Sequence, residues 1–139
     1  TWPRSTLEAA IRRRVQTAYL GDGIVLARVL GHHKMFLRSS DRGFACHVML
    51  DGYWEMWLTQ FLAQRVKPGM TAIDVGANFG YYTLLMGEAV GETGRVIAVD
   101  RGAVHIALGK ADDLTALQVN GGEDDQGNHS RKRRSVARP

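Results

Sequence analysis

Residues Thr71–Asp100 read TAIDVGANFGYYTLLMGEAVGETGRVIAVD, and the order of textures within this stretch decides the fold. Thr71 to Val75 is a short branched run that predicts a strand. A glycine-rich turn follows, Gly76-Ala77-Asn78-Phe79-Gly80, and then a helix from about Gly80 to Val90. The polar loop Gly91 to Gly94 leads into a second strand at Arg95 to Val99. Strand, helix and strand in this order form a βαβ unit, with parallel strands joined by a right-handed crossover. The expected fold class is therefore α/β.

The turn has a physical logic for binding a small ligand. Gly76 permits a sharp exit from the strand through a positive φ and lets ligand atoms approach bare backbone. Gly80 lets the helix start close beneath the sheet, and the N–H groups of its first turn face the crevice at the carboxyl ends of the strands. The spacing Gly-x-Asn-x-Gly is neither the Gly-x-Gly-x-x-Gly of dinucleotide binders nor a Walker loop, which needs a following Lys-Ser or Lys-Thr. Charge then discriminates. Asp74, at the strand end, would oppose a pyrophosphate but can accept hydrogen bonds from an α-ammonium. S-adenosylmethionine supplies that ammonium and a nearby sulfonium. Asp100 ends the next strand, about twenty residues beyond the turn, where an acid can accept both hydroxyls of a ribose.

Gly52–Asp100, and above all DVGANFGYYT and VIAVD within it, resembles the FkbM family of class I methyltransferases. Val119-Asn120-Gly121 is similar to the end of that family's next helix. The resemblance implies a Rossmann-like fold, S-adenosylmethionine as cofactor, and O-methylation of a sugar or other small molecule. It also implies that Asp74, Gly76, Asn78 and Gly80 surround the methionine part of the cofactor. Tyr81 and Thr83 would contribute to its carboxylate pocket, and Asp100 would hold the ribose. Tyr82 is read as ordinary packing at the helix start.

Two features depart from that pattern. Arg101-Gly102-Ala103 stands where the family has a Pro-Asn-Pro-like stretch, and nothing after Gly122 supplies the further strands of a class I methyltransferase. The expectation is a truncated, partial domain. No residue is assigned as general base or other catalytic group, and neither His105 nor His129 is placed in that role. An edge strand left unpaired by such an ending would favour dimerisation.

Moving outward toward the N-terminus, Tyr53 to Val66 has helical period, with Trp54, Trp57, Leu58, Phe61 and Leu62 forming one apolar stripe for core packing, stopped at Lys67-Pro68-Gly69. Between Ile24 and Leu50, runs broken at Gly31-His32 and at Ser39 to Gly43 predict three hairpin strands. The last alternates Phe44, Cys46, Val48 and Leu50 against Ala45, His47 and Met49. His32, His33 and His47 fall here without metal-like spacing, so no metal site is expected. Ser5 and Glu8 fit a capping box opening a helix through Leu7, Ile11, Val15 and Ala18, with a Glu8–Arg12 ion pair, ended by Gly21-Asp22-Gly23.

Toward the C-terminus, Val104, Ala107, Leu108, Ala111, Leu114 and Leu117 keep helical spacing, and 123–139 reads as a disordered basic tail. The organisation expected is an N-terminal helix and small antiparallel β region over 1–52, a partial cofactor-binding domain over 53–122, and the tail.

With 139 residues, 45% of them hydrophobic and 23% charged, the chain has the composition of a single globular domain. Its longest apolar run is far short of a membrane span, and no secretory signal opens it. The single Cys46 fits a reducing cytoplasm. The net charge of +4 lies mostly at the two ends, around Arg12 to Arg14 and Arg131 to Arg134, which argues for solvated faces over nucleic-acid recognition. The leading expectation is thus a methyltransferase acting on a small-molecule acceptor. The alternatives are a non-catalytic nucleotide-binding or interaction module, and a small basic protein contacting nucleic acid.

Overall fold

The structure is a computed structural model and describes residues 2–100, together with the backbone of residues 103–108. The elements run α1 (Arg4–Arg12), β1 (Thr17–Gly21), β2 (Ile24–Val29), β3 (His33–Arg38), α2 (Phe44–Asp51), α3 (Met56–Arg65), β4 (Thr71–Val75), α4 (Tyr81–Val90), β5 (Arg95–Asp100) and β6 (Ala103–Leu108). Among the described residues these strands form two three-stranded sheets, ordered β1-β2-β3 and β4-β5-β6. The first is antiparallel throughout. In the second, β4 and β5 are parallel, as the βαβ reading requires, and β5 turns back antiparallel into β6.

Helix α4 joins the two halves of the core. Seven of its residues, from Tyr81 to Val90, are buried, as expected for a helix that is apolar nearly all round. Its Tyr81 and Leu84 pack with Val29, Met35 and Leu37 of the antiparallel sheet and with Ala45, Val48 and Met56 of α2 and α3. Its Met86 and Val90 pack on Val96 of β5, with Ala72 of β4 alongside. Residues on both sides of position 52 thus share one packed cluster.

Several local expectations are corrected. Phe44–Asp51 is a helix, α2, not the third strand of a hairpin. The Asp41 carboxylate accepts from the backbone N–H groups of Gly43 at 2.8 Å and Ala45 at 3.4 Å, which initiates the turn. Ala45 and Val48 then bury themselves at helical spacing. Gly52 ends α2 in the left-handed region at φ 75°, its N–H on the Val48 carbonyl. The third antiparallel strand comes from the other side: Thr17–Gly21, expected at the end of the first helix, is β1, so Val15 and Ala18 lie outside α1. The turn at Asp22 therefore joins two strands.

At the N-terminus, α1 starts behind Pro3 with no side-chain cap, so the capping box does not form. Glu8 pairs with Arg4 at 3.5 Å, while Arg12 reaches Asp51 at 2.7 Å and the Tyr53 hydroxyl at 2.6 Å, tying α1 to the end of α2. The apolar stripe expected over Tyr53 to Val66 is buried only in part, with Trp54 and Leu62 packed against the core. Met56 and Thr59 are buried, whereas Trp57 is 61% exposed and Phe61 51% exposed. Ala103–Leu108, read as the start of a helix, is a strand paired in register with β5. The rest of that expected helix, the close at Asn120-Gly121-Gly122, the tail 123–139 and His129 lie outside the described residues, as does the side chain of His105. No helix among the described residues is long and apolar enough to cross a membrane.

Candidate cofactor site

Strand register places the two acids. Asp74 lies beside Ala98, and Val75 beside Val99, so Asp100, two residues beyond Ala98, shares a sheet face with Asp74. That face also carries Ala72 and Val96, and it is the one that α4 covers. Both carboxylates therefore stand at the carboxyl ends of neighbouring parallel strands, beneath the start of α4. Asp74 is buried, with 8% of its surface exposed, and Asp100 is half-buried.

Asp74 has specific partners. Its Oδ2 accepts the Thr83 hydroxyl at 2.5 Å, and its carboxylate also accepts the Thr83 backbone N–H. These are first-turn donors of α4, so the carboxylate satisfies orphan groups at the positive end of the helix. Burial nevertheless raises the Asp74 pKa above its ordinary value. The two Thr83 hydrogen bonds pull it down and the negative charge of Asp100 pushes it up again. A crevice with two mutually repelling carboxylates, one desolvated, is electrostatically suited to a cation.

The turn that connects β4 to α4 is tied to the second strand. The N–H groups of Gly76 and Ala77 both donate to the Val99 carbonyl, at 2.8 and 3.2 Å. Gly76 adopts φ 77°, and the space where a Cβ would stand is open, as close approach of a ligand requires. Asn78 is exposed and in the left-handed region at φ 49°, a conformation that Asn tolerates better than most residues. Gly80 at φ 79° donates to the Ala77 carbonyl at 2.7 Å and precedes the first residue of α4.

Beside the turn lies a pocket of about 180 Å³, lined by Phe44, Trp54, Gly76, Asn78, Phe79 and Tyr82, with Tyr81 at its inner side. Phe44 and Phe79 stack at 4.9 Å with ring planes 4° apart. Tyr82 donates its hydroxyl to Glu55 at 2.7 Å, and burial followed by that carboxylate raises its pKa. Tyr81 is 2% exposed and burial raises its pKa as well, while the Thr59 hydroxyl, 3.1 Å from its own, pulls it the other way.

The structure thus brings Asp74, Gly76, Asn78, Gly80 and Asp100 to one end of the parallel pair. Thr83, only 1% exposed, is turned onto Asp74, and Tyr81 is turned into the core. Sequence reasoning misses three residues at this end. Phe44 reads as part of a strand and Trp54 as part of a helix stripe. Glu55 gives no signal, yet it sits at φ 37°, an uncommon backbone conformation for a residue with a side chain.

Comparison with known families places the chain among the class I methyltransferases, a superfamily that typically uses S-adenosylmethionine. The profile that matches covers residues 52–124, just over half of the chain, and describes protein-L-isoaspartate(D-aspartate) O-methyltransferase (PCMT). The chain belongs to that family. The match therefore extends to the superfamily of the FkbM resemblance but not to FkbM itself. No curated protein and no solved structure matches the chain.

Proposed function

We propose that the chain binds S-adenosylmethionine in the crevice above β4 and β5 and serves methyl transfer to an oxygen of its acceptor. The carrying observation is the pair Asp74 and Asp100 on one sheet face, with burial and mutual repulsion both opposing ionisation of Asp74. A ligand bearing an ammonium and a sulfonium relieves that repulsion, whereas a phosphate would add to it. In this reading β4 and β5 begin a Rossmann-like sheet. Asp74 meets the ammonium, with Thr83 fixing the rotamer of its carboxylate, and Gly76, Asn78 and Gly80 pass along the methionine part. Tyr81 backs the turn from the core side, and Asp100 receives the ribose hydroxyls. The pocket beside the turn, at about 180 Å³, falls below the ~300 Å³ at which whole-ligand sites begin. It is read as the subsite for one end of the cofactor, walled by Phe44 and Trp54.

Two lines support oxygen as the acceptor atom: the FkbM resemblance of DVGANFGYYT and VIAVD, and the O-methyltransferase family whose profile matches. They differ in acceptor class, a small-molecule hydroxyl in the first case and an isoaspartyl carboxylate in the second. Transfer itself is an in-line displacement at carbon, so this chain's contribution is to hold the sulfonium methyl in place and exclude alternative poses.

Calorimetric titration of the full chain with S-adenosylmethionine, S-adenosylhomocysteine and adenosine tests the binding reading. Saturable binding of the first two, weakened at least tenfold by Asp100→Ala, is expected from loss of charge-assisted ribose hydrogen bonds. Absence of binding to the folded chain would overturn it. Labelled methyl transfer to an isoaspartyl peptide, measured beside transfer to a sugar or other hydroxyl acceptor, separates the two acceptor classes.

A further inference from the structure

A second cluster of chemistry-bearing side chains lies at the far end of α4. Glu88 is in the last turn of that helix, seven residues after Tyr81. At the rise of an α-helix it stands about 10 Å along the axis from the glycine turn. Its Oε2 is 2.9 Å from Nε2 of His33, and its Oε1 is 3.3 Å from Nε2 of His32. The two imidazoles belong to neighbouring residues, which in a regular strand would point to opposite faces. Here the hairpin between β2 and β3 turns through Leu30 at φ 53° and Gly31 at φ 84°, and the His32 N–H closes on the Val29 carbonyl at 3.2 Å. The rings consequently sit side by side, with centroids 4.1 Å apart.

We propose that His32, His33 and Glu88 form a binding site for a borderline divalent transition metal of the zinc, cobalt and nickel class, which fastens the β2–β3 hairpin to α4. One ligand atom from each of the three residues lies within 4.8 Å of the other two. Tetrahedral zinc, with bonds of about 2.0–2.1 Å, places its ligand atoms roughly 3.3 Å apart. The required contraction is modest and falls on His32 and Glu88, whose side chains are 58% and 51% exposed, while His33 is held at 5%. Two neutral imidazoles and one carboxylate suit these metals and disfavour magnesium and calcium, which take oxygen ligands. Glu88 also places a negative charge in the last turn of a helix, where the macrodipole is already negative, and a cation there relieves both. Metal binding at Nε2 of each imidazole releases any proton there to solvent, and the fourth position stays open to water.

The test is titration of the full, folded chain with zinc by calorimetry and with cobalt by visible absorption, with magnesium as the comparison ion. The expected result is saturation near one equivalent, with tetrahedral cobalt absorption and no displacement by magnesium. His32→Ala and Glu88→Gln change exposed positions and leave the core intact, and each should weaken zinc binding at least tenfold. Zinc should also raise the Tm of the native chain but not of these variants. Lack of saturable binding, or binding of equal strength in both variants, would overturn the site. The second result would assign the metal to other histidines or to Cys46.

Discussion

Replacing Thr83 by Val is the sharpest probe of how the candidate site is held together. The substitution keeps the branched shape of a side chain that is 1% exposed and removes the hydroxyl that meets Asp74 at 2.5 Å. Hydrogen bonds to charged groups contribute about 1.5–3 kcal/mol, and the new methyl would also press on the carboxylate oxygen, so a loss of about 2–3 kcal/mol is expected at pH 7. At roughly 4 °C per kcal/mol this lowers Tm by about 8–12 °C. Thr83→Ser, which retains the hydroxyl, should cost only about 1 kcal/mol.

The loss should also depend on pH. Thr83 lowers the pKa that Asp74 has in the folded chain, so removing the hydroxyl raises it further. The stability difference between native chain and variant is therefore fully present above the variant's Asp74 pKa and shrinks as pH falls through it and then through the native one. Urea unfolding across a pH series, paired with thermal melts, measures both quantities. A Thr83→Val chain within about 0.5 kcal/mol of native at pH 7, the range of an inconsequential surface change, would refute this account of the Asp74–Thr83 pair. So would a loss of constant size at all pH values.

Four further outcomes are expected. In the free chain, stability contributed by Asp74 falls as pH rises from its ordinary 3.8 through its raised folded value, because the folded state favours the protonated acid. A cationic cofactor favours the ionised form, so calorimetry should show affinity falling as pH drops through the same window, and Asp74→Asn should weaken binding and flatten that profile. Gly52→Ala should destabilise by roughly 2–4 kcal/mol in chemical unfolding, since the residue is in the left-handed region and an added Cβ meets Val15 and Ile11. Ile73→Lys should reduce self-association by light scattering without loss of Tm, because β4 is an edge strand among the described residues and Ile73 is 63% exposed there.

Where local chemistry and tertiary packing agree, the sequence is readable. The run from Thr71 to Asp100 carries a branched strand, a turn demanding positive φ, an apolar helix and a second branched strand, and each forms where its residues predict. The positions of Asp74 and Asp100 follow from that alone. Phe44–Asp51 misleads because its alternation from Phe44 to Leu50 fits period two, while the deciding helix signal, Asp41 accepting from Gly43 and Ala45, lies outside the apolar pattern. Thr17–Gly21 misleads for a related reason. Val15 and Ala18 continue the period of a helix that ends at Arg12, and an edge strand with mostly exposed residues leaves little apolar signature. The aromatic residues of α3 look like a core stripe, yet α4 already supplies the apolar surface, so Trp57 and Phe61 stay outside. Glu55 and the His32–His33–Glu88 cluster leave no trace in the sequence because they depend on contacts between distant segments, one of them 55 residues apart.

The Val99 carbonyl receives both Gly76 and Ala77, and it belongs to the residue immediately before Asp100. The loop carrying Gly76, proposed to lie along the methionine part, and Asp100, proposed to hold the ribose, are consequently parts of one hydrogen-bonded piece, rather than two arms that a ligand must draw together. Their spacing is set during folding, so a nucleoside ligand arriving at the crevice loses little affinity to ordering the protein, and its dissociation need not wait for the turn to loosen. On the proposed reading, a different acceptor could then be accommodated by loops elsewhere without disturbing the turn and acid proposed to hold the methyl donor.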